Sequence, residues 1–97
     1  MALKALGEAE IAQRLKQVEF WQKQGDEIRR QFQFPSFMRA IAFVNQMAAH
    51  AERVDHHPDI LVQYNKVTLS LSTHDAQGIT QKDFDFAHVA NEHYEKC

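Results

Sequence analysis

The chain is short of several things that would each have pointed elsewhere. Its 97 residues hold one cysteine, Cys97, at the last position. An intramolecular disulfide is therefore excluded, and a reducing compartment fits. Three glycines and two prolines leave no low-complexity tract or linker, and no repeat divides the chain. No charge sign dominates. Eleven basic against thirteen acidic residues give a net −2, too weak a field to hold a polyanion, so direct nucleic-acid binding is not expected. No apolar run approaches the ~20 residues that cross a bilayer, and the Met-Ala-Leu-Lys-Ala-Leu start is too short and weakly apolar for a secretory signal. The expectation is a soluble, cytoplasmic protein without membrane contact, the nucleus being also open if the source is eukaryotic. It should form one domain over residues 1–97, with enough chain for a single core.

What is present reads as an ordinary globular chain, 44% hydrophobic and 25% charged. Gly7 followed by Glu8 and Glu10 marks a helix start with acids at the positive end of the dipole. Leu6, Ile11 and Leu15 give that helix one short apolar stripe. Residues 18–22 and 28–34 read as two strands joined around Gly25 and Asp26. In the second, Ile28, Phe32 and Phe34 share a face that Arg30 interrupts.

Ser36 then caps the longest helix. Its apolar residues fall on two stripes roughly 90° apart at ~100° per residue. Phe37, Ile41, Val44, Ala48 and Ala51 form one; Ala40, Phe43, Met47 and Val54 form the other. The first stripe suffices to pack the helix on a sheet. The second faces either another subunit or a wider stretch of the same core.

Residues 59–64 and 67–73 form a hairpin turning at Asn65 and Lys66, since Asn tolerates the positive φ of a two-residue turn. Tyr64 then pairs with Val67, Val62 with Leu69, and Ile60 with Leu71, which gives one apolar and one polar face. Extended past Pro58, the same register sets His57 opposite His74, with Cβ atoms ~5 Å apart. Thr80 caps a final helix. Asp83 at the third helical position can close a capping box, and Ile79 can staple onto Phe84. That is a sufficient structural role for Asp83. The element order is α-β-β-α-β-β-α.

Chemistry concentrates in residues 52–83, which hold three of the six histidines, His56, His57 and His74, with carboxylates on either side. An imidazole with an unperturbed pKa of ~6.5 can give or take a proton near neutrality. A lone histidine is most often a bystander, and adjacent strand residues point to opposite faces. The hairpin register is what makes a joint site credible.

The spacing Glu52-x3-His56-His57-Pro58-x5-Tyr64-x9-His74-x8-Asp83 resembles the signature of the pterin-4a-carbinolamine dehydratases. That family also includes the dimerisation cofactor of a homeodomain transcription factor. Similarity extends from about Trp21 through Phe34, Arg39 and Ala40 to the Tyr64-Asn65-Lys66-Val67 and Leu71-Ser72-Thr73-His74 stretches, roughly three quarters of the chain. The resemblance implies a small α+β fold, a four-stranded antiparallel sheet with three helices packed on one face, assembled into homodimers or homotetramers. It implies dehydration of 4a-hydroxytetrahydropterin (pterin-4a-carbinolamine) to quinonoid dihydropterin and water, without metal or organic cofactor. That step regenerates tetrahydrobiopterin for the aromatic amino acid hydroxylases.

By that resemblance His56 and His74 are the acids serving the 4a-hydroxyl, and His57 holds the pterin and assists with the N5 proton. Glu52 accepts hydrogen bonds from the pterin amide and amino groups, and Asp55 orients a histidine. Ser72 and Thr73 offer backbone and hydroxyl partners, with Asp83 a cap first and pocket support second. Two departures stand out. Ile60 occupies the place of a tryptophan found in mammalian-type members, and Ala76 that of a cysteine. Two other classes stay open. One is a zinc site, since three histidines with nearby acids form a plausible ligand set. The other is an oligomerisation or coactivator module, with a protein partner, on the same fold.

Overall fold

The computed structural model describes residues 4–96. The chain start read against a signal sequence (residues 1–3) and Cys97 lie outside the described residues. The elements follow the expected order: α1 (Glu8–Leu15), β1 (Gln22–Gln24), β2 (Glu27–Gln33), α2 (Phe37–Val54), β3 (Asp59–Gln63), β4 (Lys66–Leu71) and α3 (Gln81–Glu95), plus a single 3-10 turn at His74–Ala76. Among the described residues the four strands form one antiparallel sheet in the order β1-β2-β4-β3.

The helix starts are the ones the residues dictate. Glu10 accepts from the Gly7 N–H at 3.2 Å, and the Ser36 hydroxyl accepts from the Arg39 N–H at 3.2 Å. Thr80 and Asp83 form the capping box of α3, which satisfies backbone donors that have no intrahelical partner. Ile28, Phe32, Val67, Leu69 and Leu71 are fully buried on one sheet face. The other face is open and carries Arg29, Gln31, Gln33, Thr68 and the half-exposed Leu61.

Three expectations need correction. Residues 18–22 are not a strand. Val18 and Trp21 are buried, but they enter the core from successive turns in which Val18 N–H reaches the Leu15 carbonyl and Trp21 N–H the Val18 carbonyl. The strand itself is the exposed edge Gln22–Gln24. The turn places Phe20 at φ 73°, a left-handed backbone that is costly for a bulky residue, and leaves its ring exposed.

The stripes of α2 are exchanged. Ala40, Phe43 and Met47 are fully buried, with Ala51 beside them. Phe37 is 44% exposed and Met38 71%, Ala48 is exposed, and Val44 packs only at the core's margin. The stripe read as a possible subunit contact is thus the core contact, and the stripe on the outer side has Phe37 and Ala48 exposed with Ile41 and Val44 half-buried. Phe43 anchors the core with ring centroids 4.8 Å from Phe32 and 5.1 Å from Phe34.

The hairpin is slipped by two residues. It turns at Tyr64 and Asn65, with φ 54° at Tyr64, and pairs Gln63 with Lys66, Val62 with Val67 and Ile60 with Leu69. An even slip keeps every side chain on its expected face but changes every opposite neighbour. The ladder ends at Asp59 and Ser70, so His57 is not paired with His74.

Arg30 explains the interruption in β2. It lies on the core side of the sheet, its guanidinium carbon 4.3 Å from the Phe32 ring centroid, 4.7 Å from Phe20 and 5.0 Å from Tyr94. One guanidinium N–H donates to Asn91 Oδ1 at 2.6 Å, and the same oxygen accepts from Trp21 Nε1 at 2.8 Å. Burial pushes Arg30 below its ordinary value, against the opposing pull of Tyr94, Glu19 and Glu95. Asn91 therefore ties α3 to β2 and to the turn before β1.

Candidate active site

The end of α2 delivers the histidine pair. Asp55 adopts the left-handed conformation (φ 53°, ψ 47°) and its N–H bonds the Ala51 carbonyl. The His56 N–H bonds the same carbonyl at 3.1 Å. This left-handed stop resembles a Schellman end and turns the chain sharply, so the two imidazoles leave the helix on different sides.

His56 goes inward. Its Nε2 lies 2.6 Å from Asp83 Oδ1, and its side chain is only 11% exposed while that of Asp83 is 0%. The other carboxylate oxygen of Asp83 accepts from the Thr73 hydroxyl at 2.9 Å and from the Thr80 N–H at 2.9 Å. The Thr73 and Thr80 hydroxyls are 2.6 Å apart. A buried carboxylate with three donors around it is a satisfied one. The strand end β4, the start of α3 and the end of α2 meet at this point.

His57 goes outward. Its Nε2 pairs with Glu52 Oε2, and both side chains are largely exposed. His74 opens the 3-10 turn and is exposed, as is Ser72 before it. Asp55 is also exposed and bonds neither histidine among the described residues. The structure therefore brings together His56, Asp83 and Thr73, and separately Glu52 and His57, but joins neither group to His74 by a direct bond.

Several expected roles change accordingly. Asp55 is a helix stop, and the acids that orient histidines are Asp83 and Glu52. Thr73 is not a free partner for a ligand. Its N–H donates to the Gly78 carbonyl, its carbonyl accepts from the Ala76 and Gly78 N–H groups, and its hydroxyl is committed to Asp83. Asp83 combines the cap expected of it with a direct hold on His56. Ile60, at the position of the missing tryptophan, packs at the margin of the core.

A cavity of about 300 Å³ lies between α2 and α3, lined by His50, Val54, His56, Lys82, Asp85, Phe86 and Val89. Its size is at the lower end for a small-molecule pocket, and His56 is the signature residue on its wall. His50 stacks edge-on against Phe86, ring centroids 4.9 Å apart. Burial, then Arg53, then His93 push the His50 imidazole below its ordinary value. Thr80 and His50 were not singled out as site residues from the sequence. The signals for them were the cap position of Thr80, three residues before Asp83, and the i, i+4 relation of His50 to Val54. A second cleft of about 350 Å³ surrounds Phe20, Arg30, Asn91 and Tyr94, and Arg30 is already engaged there by rings and by Asn91. No three His, Cys, Asp or Glu side chains among the described residues converge as a metal-holding group.

A carboxylate-anchored imidazole beside a small cavity, on a three-helix, four-strand α+β frame, defines a candidate acid–base site for a small molecule. Residues 4–93 match the family described as pterin 4 alpha carbinolamine dehydratase, and the chain belongs to that family. A relative from Roseiflexus sp. (strain RS-1) is 58% identical over 84% of this chain and 88% of its own. One from Picosynechococcus sp. (strain ATCC 27264 / PCC 7002 / PR-6) is 52% identical over 84% and 89%. Both are named "Putative pterin-4-alpha-carbinolamine dehydratase". The crystal structure of a transcriptional coactivator/pterin dehydratase from Brucella melitensis superposes with a TM-score of 0.89 at 36% identity, covering 92% of this chain and 97% of that one. A pterin dehydratase-like RuBisCO assembly factor of the alpha-carboxysome shares the fold, with a TM-score of 0.65 at 24% identity over 74% and 86%.

Proposed function

We propose that the chain dehydrates a 4a-hydroxytetrahydropterin to the quinonoid dihydropterin and water by histidine acid–base catalysis, within tetrahydrobiopterin recycling. The observation that carries this reading is His56, anchored on the buried Asp83 at the wall of the α2–α3 cavity. In the reaction the C4a–oxygen bond breaks, a proton reaches the departing hydroxyl, and the N5 proton is lost as the C4a–N5 double bond forms. His56 and His74 serve the hydroxyl, and His57, backed by Glu52, serves N5. Each well-placed transfer contributes ~10²–10⁴ in rate. Ser72 and Asp55, both exposed, complete the pterin contacts, while Thr73 and Asp83 act from behind His56. The mechanism asks for no metal and no organic cofactor.

Self-association into a dimer or tetramer belongs to the same proposal, and the surface for it is the stripe of the exposed Phe37 and the half-buried Ile41 and Val44. The second reading is a coactivator or other interaction role on this fold, favoured by the same stripe and by the name of the Brucella protein. The test is the dehydration of freshly generated carbinolamine, with the spontaneous rate subtracted. Enzyme-dependent turnover supports the dehydratase, and a rate equal to the spontaneous one leaves the interaction role standing instead.

A further inference from the structure

The two donors on Asp83 Oδ2 have a consequence for His56. The Thr73 hydroxyl donates to Asp83 Oδ2, so its oxygen can only accept from the Thr80 hydroxyl, 2.6 Å away. The Thr80 oxygen in turn accepts from the Lys82 N–H at 3.2 Å. The order of donation is therefore fixed along the series, from Thr80 to Thr73 to Asp83. All three side chains are buried, so no solvent competes for the carboxylate. A carboxylate offers only acceptors, and its Oδ1 faces His56 Nε2 at 2.6 Å. That nitrogen must carry a hydrogen.

We propose that Thr80 and Thr73 are positioning residues. Through Asp83 they hold His56 as the Nε2–H tautomer and leave Nδ1 as the nitrogen that exchanges a proton with the substrate. The assignment of a proton-transfer role to Nδ1 rests on the dehydratase reading; the tautomer itself does not. The Thr73 hydroxyl, itself bonded by that of Thr80, and the Thr80 N–H also set how much negative charge the carboxylate presents to the ring. Removing the Thr73 hydroxyl leaves Asp83 with one donor fewer, so the carboxylate favours the imidazolium more strongly. The ionisation that governs turnover through His56 then moves to higher pH. The other charged or titratable groups around this ring are Lys82 and Asp85 on α3, His50 on α2, and its chain neighbours Asp55 and His57. None of them changes in the variants below.

The experiment is nitrogen-15 NMR of histidine-labelled protein, together with kcat and kcat/KM measured against pH. In the wild type, the neutral imidazole of His56, observed at a pH above its own titration, should show a protonated Nε2 and an unprotonated Nδ1. A protonated Nδ1 with a bare Nε2 overturns the proposal, and this reading needs no variant to fold. Thr73→Val should move the pH profile of kcat upward, with the His56 resonances moving in step. Thr73→Ser and Thr80→Ser, which keep the hydroxyls, should restore wild-type behaviour. If Thr73→Val only lowers the melting temperature, with profile and resonances unmoved, the threonines are structural and the proposal fails. The predicted tautomer in a protein without turnover would overturn the dehydratase reading instead.

Discussion

Two phenylalanines on α2 give a stringent test of how the molecule is packed. Phe43 is fully buried, its ring within 4.8–6.3 Å of the centroids of Phe32, Phe34 and Tyr94. Phe43→Ala removes a core ring and leaves a cavity, which costs ~3–5 kcal/mol. Its three ring contacts favour the upper part of that range. A 97-residue domain has a total stability of ~5–15 kcal/mol, so this one change removes a large share of it. At ~4–8 °C per kcal/mol for a domain of this size, the melting temperature should fall by at least about 12 °C. Phe37, on the same helix but 44% exposed, should lose about 1 kcal/mol or less on the same substitution. Urea unfolding followed by circular dichroism, with both variants at one protein concentration, measures the pair. Equal losses, or a greater loss for Phe37→Ala, would refute the packing described for α2. Light scattering on Phe37→Ala reads the other half of the account, since a subunit contact on the exposed stripe should appear as a lower mass.

Asn91→Ala removes the acceptor shared by Trp21 and the Arg30 guanidinium and should cost about 2–3 kcal/mol in urea unfolding, because a charge-assisted bond is lost; a midpoint within error of wild type would contradict that role. His50 is lowered in the folded chain by burial, Arg53 and His93. Its contribution to stability is therefore complete above the unfolded value of ~6.5 and is lost as pH falls below it toward the folded value. His50→Gln should flatten that part of the stability–pH curve, which paired urea midpoints at about pH 7.5 and 5.5 would reveal. Dialysis against a strong chelator should leave dehydration unchanged, and a loss restored by zinc would replace the metal-free mechanism.

Much of this arrangement was legible in the residues because it is local. Ser36, and Thr80 with Asp83, announce helix starts through hydrogen bonds that span two or three residues, and Ile79 before Phe84 does so through an apolar staple. Strand faces were also readable, since alternation survives the two-residue slip of the hairpin. The slip itself was not, because it depends on whether Tyr64 or Asn65 takes the positive φ, and the structure gives it to Tyr64. The exchange of the α2 stripes has a similar origin. Both stripes are apolar, and only the position of α3 and the sheet decides which is covered. At the site, the signature spacing names Glu52, His56, His57, His74 and Asp83 but not which acid meets which imidazole. Asp83 meets His56 across 27 residues and Thr73 meets Asp83 across ten, distances over which no periodicity in the sequence speaks. The orienting role that the resemblance gives to Asp55 falls to Asp83 and Glu52, because the Asp55 backbone makes the turn after which His56 and His57 diverge.

The central claim is that imidazoles on this frame move the protons of a pterin dehydration. The most direct measurement is carbinolamine dehydration by the His56→Ala, His74→Ala double variant beside wild type, with the fold of each checked by circular dichroism. His88→Ala, outside the signature, serves as the control. The account predicts that the double variant loses ~10²–10⁴ of the enzymatic rate, or ~3–5 kcal/mol of barrier lowering, and approaches the spontaneous reaction while the control keeps wild-type turnover. A folded double variant that dehydrates the carbinolamine as fast as wild type would contradict it.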